Sequence, residues 1–109
     1  MALHHAEPGE IVDLRPLGEG LAKARTSAIV RTPSFEAVRL VVPAGREIPV
    51  HKVPGRIMLH CLEGRVQLGL TEMSKDLRAG EWLYLEGGEP HSVTGIEDAS
   101  LLLTILFDG

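Results

Sequence analysis

Residues 80–91 read GEWLYLEGGEPH and end on a histidine. This stretch starts on a glycine, continues as a predicted strand over residues 81–85, and passes through a turn rich in glycine and proline before His91. A second stretch, residues 45–51 (GREIPVH), also starts on a glycine and ends on a histidine, His51. Short strands bounded by such turns are typical of all-β proteins. The two histidines are therefore predicted to lie beside turns of a sheet.

Glycine and proline residues also interrupt the rest of the chain. Its 109 residues include 12 glycines and 7 prolines, more than the roughly 12% of average usage. Short apolar segments lie between these residues, and no segment of ten or more residues favours a helix. A closed all-β sheet is the expected result, because closure removes exposed strand edges. We predict one domain, with residues 1–34 forming N-terminal strands or an extension that packs on a barrel of residues 35–109.

Charge and composition exclude several kinds of partner. The net charge is −4, and acidic and basic residues are interspersed. Nucleic acids and anionic membranes both select clustered basic residues, so neither is expected as a partner. Residues 1–10 lack the apolar core of a signal peptide, and the apolar run 101–107 is far shorter than the ~20 residues of a membrane helix. The single cysteine, Cys61, suits a reducing compartment. These features predict a cytoplasmic protein with a buried Cys61.

The two histidine stretches resemble the two motifs of the cupin family. The first motif reads Gly, five residues, His-x-His, three or four residues, Glu, six residues, Gly, and residues 45–51 with Glu63-Gly64 resemble it. The second reads Gly, five residues, Pro-x-Gly, two residues, His, three residues, Asn, and residues 80–91 resemble it. The chain thus resembles a small single-domain bacterial cupin. The resemblance implies a double-stranded β-helix, or jelly-roll, barrel.

The resemblance also implies where a metal would bind. Cupins hold a metal through both histidines and the glutamate of the first motif and the histidine of the second. His51 and His91 match two of these positions, whereas the other two are occupied by Val53 and Ile57.

His60 is a candidate for a third ligand. It lies three residues beyond Ile57 on the same predicted strand, so a regular strand would point it to the opposite face. A β-bulge between the two residues would bring His60 to the same face. A set of His51, His60 and His91 would suit a divalent metal such as Fe, Zn, Ni, Mn or Cu. We therefore predict these three histidines as metal ligands.

Three functions are compatible with this pattern. The favoured hypothesis is a barrel pocket that binds a small molecule, with or without a divalent transition metal held by His51 and His91. The alternative is a metal-dependent cupin enzyme of the oxygenase or isomerase type, acting on a small organic substrate. A facial-triad dioxygenase is disfavoured because that site needs a carboxylate. The third hypothesis is a structural dimer, and a homodimer is expected because the apolar strand 99–107 predicts burial on both faces.

Two further expectations concern single side chains. Trp82 and Tyr84 share one face of a strand, and Leu83 and Leu85 the other, so one of these faces must line the barrel. We expect Trp82 to be part of the core. Glu63 precedes the glycine of a turn and is expected to be solvated.

Overall fold

The computed structural model describes residues 4–107, which hold a short 3₁₀ helix and seven strands. The helix spans Gly18–Lys23. The strands are β1 (Ser27–Arg31), β2 (Phe35–Val42), β3 (Glu47–His51), β4 (Ile57–Gly69), β5 (Ser74–Arg78), β6 (Trp82–Leu85) and β7 (His91–Leu106). Every strand pair is antiparallel. No helix in the described range has the length and apolar character needed to cross a membrane.

The two longest strands, β4 and β7, pair with each other and belong to both halves of the barrel. The start of β4 also pairs with β6, and the end of β7 with β2, which extends to β1; this gives a five-stranded sheet in the order β1-β2-β7-β4-β6. The end of β4 pairs with β5, and the start of β7 with β3, which gives a four-stranded sheet in the order β3-β7-β4-β5. The expected all-β barrel is confirmed.

The chain passes between the two sheets at a corner near Gly64. The pairing of β4 with β7 shifts register three times between Cys61 and Val66, and such bulges bend a strand and increase its twist. Gly64 has a φ of +78°, and a Cβ there would lie 2.0 Å from the carbonyl oxygen of Asp98 on β7. Only glycine allows both this conformation and this close approach of the two backbones.

The space between the sheets is filled by aliphatic side chains. Alternate residues of β4 and β7 point inward, so Leu59, Val66 and Leu101 are fully buried. Cys61 lies among them as expected, and burial raises the pKa of its thiol. The buried core consists of Val42, Ile57, Leu59, Cys61, Val66, Leu68, Leu77, Val93, Ala99 and Leu101.

The expectation that Trp82 belongs to the core is wrong. The side chains of Trp82 and Tyr84 are 55% and 53% exposed, whereas Leu83 and Leu85 pack against the core. The register explains this choice, because residues directly opposite each other on paired strands point to the same face. Leu83 is opposite the buried Leu59, so its neighbours in sequence must face outward.

The expectation that Glu63 is solvated is also wrong. Its carboxylate accepts hydrogen bonds from the backbone N–H groups of Leu17 (3.0 Å) and Gly18 (3.1 Å), and from the hydroxyl of Ser100. The guanidinium of Arg39 lies 3.3 Å from the same carboxylate, and both side chains are nearly 90% buried. The residues before β1 cover Glu63, which therefore fastens the N-terminal segment to the barrel.

These contacts keep Glu63 ionised. Burial alone would raise the pKa of its carboxyl group, but the hydrogen bonds and the Arg39 charge outweigh burial and hold the pKa below its ordinary value of 4.5. A carboxyl group with a depressed pKa stabilises the fold above its unfolded-state pKa, and this contribution is lost as the pH falls through the folded-state pKa.

Replacing Gly64 by alanine tests the corner. We expect Gly64→Ala to lower the free energy of unfolding by roughly 3 kcal/mol or more, because a positive φ and a backbone overlap both oppose the methyl group. Gly80→Ala is the matched control, since Gly80 has a φ of +88° but nothing within 4 Å of a Cβ; it should cost only about 1 kcal/mol. Urea denaturation followed by circular dichroism measures both, and equal losses would contradict the role of close approach.

Replacing Glu63 by glutamine tests the buried ion pair. Glu63→Gln should destabilise the protein by about 3 kcal/mol at pH 7, because Arg39 keeps a buried charge without its counter-charge. The difference from the wild type should shrink as the pH falls below 4.5, the ordinary pKa of the group in the unfolded chain, and disappear once the pH is below the lower pKa of folded Glu63. Glu86→Gln, which removes an exposed pair with Arg56, should cost less than about 1 kcal/mol. If the difference in stability between Glu63→Gln and the wild type does not change with pH, this assignment is contradicted.

Candidate functional site

His51 and His91 meet at the mouth of the barrel. They lie directly opposite each other, His51 at the end of β3 and His91 at the start of β7. Their ring centroids are 4.3 Å apart, and the ring planes are tilted by 56°. His91 is only 4% exposed, whereas His51 lies on the exposed rim. The structure therefore brings together the two histidines that the motifs pair.

A β-bulge in β3 makes this meeting possible. Ile48 is opposite Val93 and His51 is opposite His91, so three residue steps on β3 match two on β7. On a regular strand, an offset of three would point Ile48 and His51 to opposite faces. The bulge instead gives both side chains the inward face, where Ile48 packs against the core. Pro49 is the sequence signal that could have predicted this bulge, because proline inside a strand is largely confined to edges and bulges.

Both imidazole rings are oriented in the same way. The Nδ1 atom of His51 lies 3.0 Å from the carbonyl oxygen of Pro49, and the Nδ1 atom of His91 lies 3.0 Å from that of Glu89. A carbonyl oxygen can only accept a hydrogen bond, so each Nδ1 carries the proton. In the neutral rings, each Nε2 then presents a lone pair. Metal-binding histidines in proteins commonly have this arrangement.

The structure does not bring His60 to the pair. The register of β4 shows no bulge between Ile57 and His60, so their odd offset points His60 away from the core, opposite Trp82 and Leu102. Within residues 4–107, no group of three or more His, Cys, Asp and Glu side chains is placed to hold a metal ion. Metal binding by His51 and His91 stays a prediction, and His60 has no place in their site.

The remaining two motif positions offer no ligand atoms. Val53 packs against the core and Ile57 is 3% exposed. The two Nε2 atoms fit a late first-row divalent ion by donor type, since imidazole suits Zn, Cu, Fe and Ni. They do not fit a closed structural site, which needs four protein ligands. An ion bound here would keep most of its coordination positions for other donors.

Two clefts share Val53, which lies two residues beyond His51 in the sequence, as a lining residue. One has a volume of about 270 Å³ and is also lined by Lys52, the neighbour of His51 in sequence. The other, of about 280 Å³, is closed on its far side by Phe107 and the end of β7. Lys52 is exposed at the rim, whereas Arg56 is 3.0 Å from the carboxylate of Glu86. Neither cleft is lined by His51 or His91, and Lys52 places one exposed positive charge next to His51 in the sequence.

Comparisons with known proteins identify the architecture. The sequence matches no family model and no curated protein. Among solved structures, the chain is similar to a cupin superfamily protein from Desulfitobacterium hafniense DCB-2, with a TM-score of 0.76 and 15% identity over 90% of this chain and 95% of the other. The chain is also similar to an RmlC-like cupin protein from Desulfovibrio desulfuricans, with a TM-score of 0.69 and 23% identity over 97% of this chain and 96% of the other. A third similar structure is the DMSP lyase DddQ from Ruegeria pomeroyi DSS-3, with a TM-score of 0.66 and 18% identity over 74% of this chain and 45% of the other.

These likenesses concern the fold. All three identities are below 25%, and two of the three structures align with nearly the full length of both chains. They confirm the expected all-β barrel of the cupin type in a small single domain.

Proposed function

We propose that this chain, which has the cupin fold and retains two motif histidines, binds a small polar molecule at the His51–His91 pair. Binding would take place through a divalent transition metal. The observation that carries the proposal is the orientation of the two rings, each with Nδ1 3.0 Å from a backbone carbonyl oxygen. That orientation directs both lone pairs away from the backbone, where a metal or a ligand donor can use them.

The residues of the proposed site have different roles. His51 and His91 would hold the ion, and the carbonyl groups of Pro49 and Glu89 keep their tautomers suited to that role. A bound divalent ion supplies a Lewis acid that attracts an oxygen or nitrogen donor of the small molecule. Lys52 at the rim favours an anionic donor such as a carboxylate, and the apolar cleft at Val53 accommodates a short aliphatic group.

The proposed setting is the reducing cytoplasm, where a buried, unpaired thiol such as Cys61 is stable. We also keep the homodimer as part of the proposal, because the apolar strand β7 has an outward face as well as a buried one.

The enzyme hypothesis has weaker support. DddQ is named as a lyase, but a likeness of 18% identity extends to the fold alone. In this chain the position of the motif glutamate is the buried Ile57, so the site lacks the carboxylate that the oxygenase triad requires. A binding role needs only the groups that are present.

Calorimetric titration with Ni²⁺ and Zn²⁺ tests the site. His4→Ala/His5→Ala is the background, because the terminal histidines offer a competing site. In that background the protein should bind one ion. Adding His51→Ala should weaken binding by more than about tenfold, since one of two protein ligands is lost. His91→Gln should do the same, and glutamine avoids an empty space at this buried position.

His60→Ala is the matched control and should leave the affinity unchanged, because His60 points away from the pair. Circular dichroism of each variant confirms that the fold is kept. An affinity that survives His51→Ala would contradict the proposed site, whereas a loss with His60→Ala would contradict the assignment of faces.

A gain of function tests the motif alignment. Val53→His restores an imidazole at the position of the second family histidine, two residues beyond His51. We expect it to strengthen Zn²⁺ binding by about tenfold or more, because three imidazoles and a water form a stable open site. Lys52→His, one residue away and exposed, is the control and should give a smaller gain. Equal gains would show that the alignment is misplaced.

A further inference from the structure

Glu36 places a carboxylate on the inward face of the five-stranded sheet. It shares the alternation of β2 with Leu40, which packs against the core, and it lies directly opposite Ile105 of β7. Ile105 is in turn opposite the buried Ile57. Because residues directly opposite each other point to the same face, Glu36 continues this row of inward aliphatic side chains to the edge of the barrel, where it is half-buried.

An apolar cleft of about 280 Å³ lies at this end of the row. Its wall on the connection between β3 and β4 is held by the backbone, because the N–H of Leu106 donates to the carbonyl oxygen of Arg56 at 2.9 Å. A Cβ on Gly55 would overlap the carbonyl oxygen of Leu106, so the two segments are in direct backbone contact. Among the described residues that line the cleft, Glu36 alone carries a charge, and the others are Val53, Pro54, Gly55, Ile105, Leu106 and Phe107.

No described side chain neutralises Glu36. Within residues 4–107 it belongs to none of the ion pairs, and its carboxylate has no hydrogen bond. Arg31 is the basic residue directly opposite on β1, but its guanidinium lies over the ring of Phe107, 5.2 Å from the centroid. A half-buried charge without a partner costs free energy, and a cationic ligand would remove that cost.

We propose that this cleft binds a small aliphatic amine, with the ammonium group on the carboxylate of Glu36 and the carbon chain against the apolar walls. The attraction between the two charges is stronger here than in bulk water, because the partly buried carboxylate lies in a medium of lower dielectric constant. The ring of Phe107 at the rim already has one cation over its face, and aromatic faces attract cations. Glu36 would repel an anionic ligand.

The volume of the cleft limits the length of the amine. About 280 Å³ equals the volume of about nine water molecules at ~30 Å³ each, which suits an unbranched amine of about six carbon atoms. Each CH₂ group that leaves water should strengthen binding roughly fourfold. Neither His51 nor His91 lines this cleft, and binding of the amine needs no metal ion. The inference is therefore independent of the proposed function.

NMR titration with hexylamine at pH 7, in the presence of EDTA, tests the cleft. The amine is protonated at this pH, as a lysine side chain is. The amide signals of Val53, Ile105 and Phe107 should shift, with a Kd of about 1 mM or lower. Hexan-1-ol has the same chain without the charge and should bind at least about tenfold more weakly, because it lacks the charge-assisted hydrogen bond. Hexanoate should not bind.

Glu36→Gln removes the charge and keeps the size of the side chain. It should weaken hexylamine binding at least about tenfold, to the level of hexan-1-ol. Glu47→Gln is the matched control, since it removes the same charge from an exposed position on β3 and should leave the affinity unchanged. The NMR spectrum of each variant shows whether the fold is kept.

Three results would overturn the inference. The first is equal binding of hexylamine and hexan-1-ol by the wild type, which needs no variant to be folded. The second is a Glu36→Gln protein that keeps the wild-type affinity for hexylamine. The third is a titration in which the signals of the cleft residues do not move.

Discussion

The pairing of β4 with β7 is the interaction on which the rest of the structure depends. These strands span 13 and 16 residues, and each contributes to both sheets of the barrel. Their shared corner requires the two backbones to approach closely at Gly64, which no other residue allows. Because the corner turns both strands together, the interior that results is lined by alternate residues of each, and the fully buried Leu59 and Leu101 lie in it. Four other strands, β2, β3, β5 and β6, pair directly with β4 or β7, and β1 pairs with β2.

The histidine pair follows from the same scaffold with one local change. His91 begins β7, so the alternation that buries Val93 also turns His91 inward. His51 reaches the same side only because β3 has a bulge between Ile48 and His51. The site therefore combines a rigid member on the central strand with an exposed member on an edge strand. This arrangement would suit the proposed binding role, since His91 is buried and His51 is open to solvent.

The outward side of the five-stranded sheet is covered in one part and exposed in another. Near Glu63 the N-terminal segment covers it, and the carboxylate joins Leu17, Gly18 and Arg39 in one hydrogen-bonded group. Farther along the strands, no described segment takes that place over Trp82, which remains half exposed.

Glycine and proline positions and strand alternation are local properties of the chain, and they predicted the all-β class and the turns. The pairing of His51 with His91 was predicted by the resemblance to the two cupin motifs. The sequence also predicted the burial of Cys61 from its apolar neighbours. Which face of each strand lies inside does not follow from the local pattern and is set by the packing of the folded chain. That choice depends on register, as with Leu83 opposite Leu59, which turned Trp82 outward. It depends as well on bulges: the bulge between Ile48 and His51 turns His51 inward, and the regular register between Ile57 and His60 leaves His60 outward.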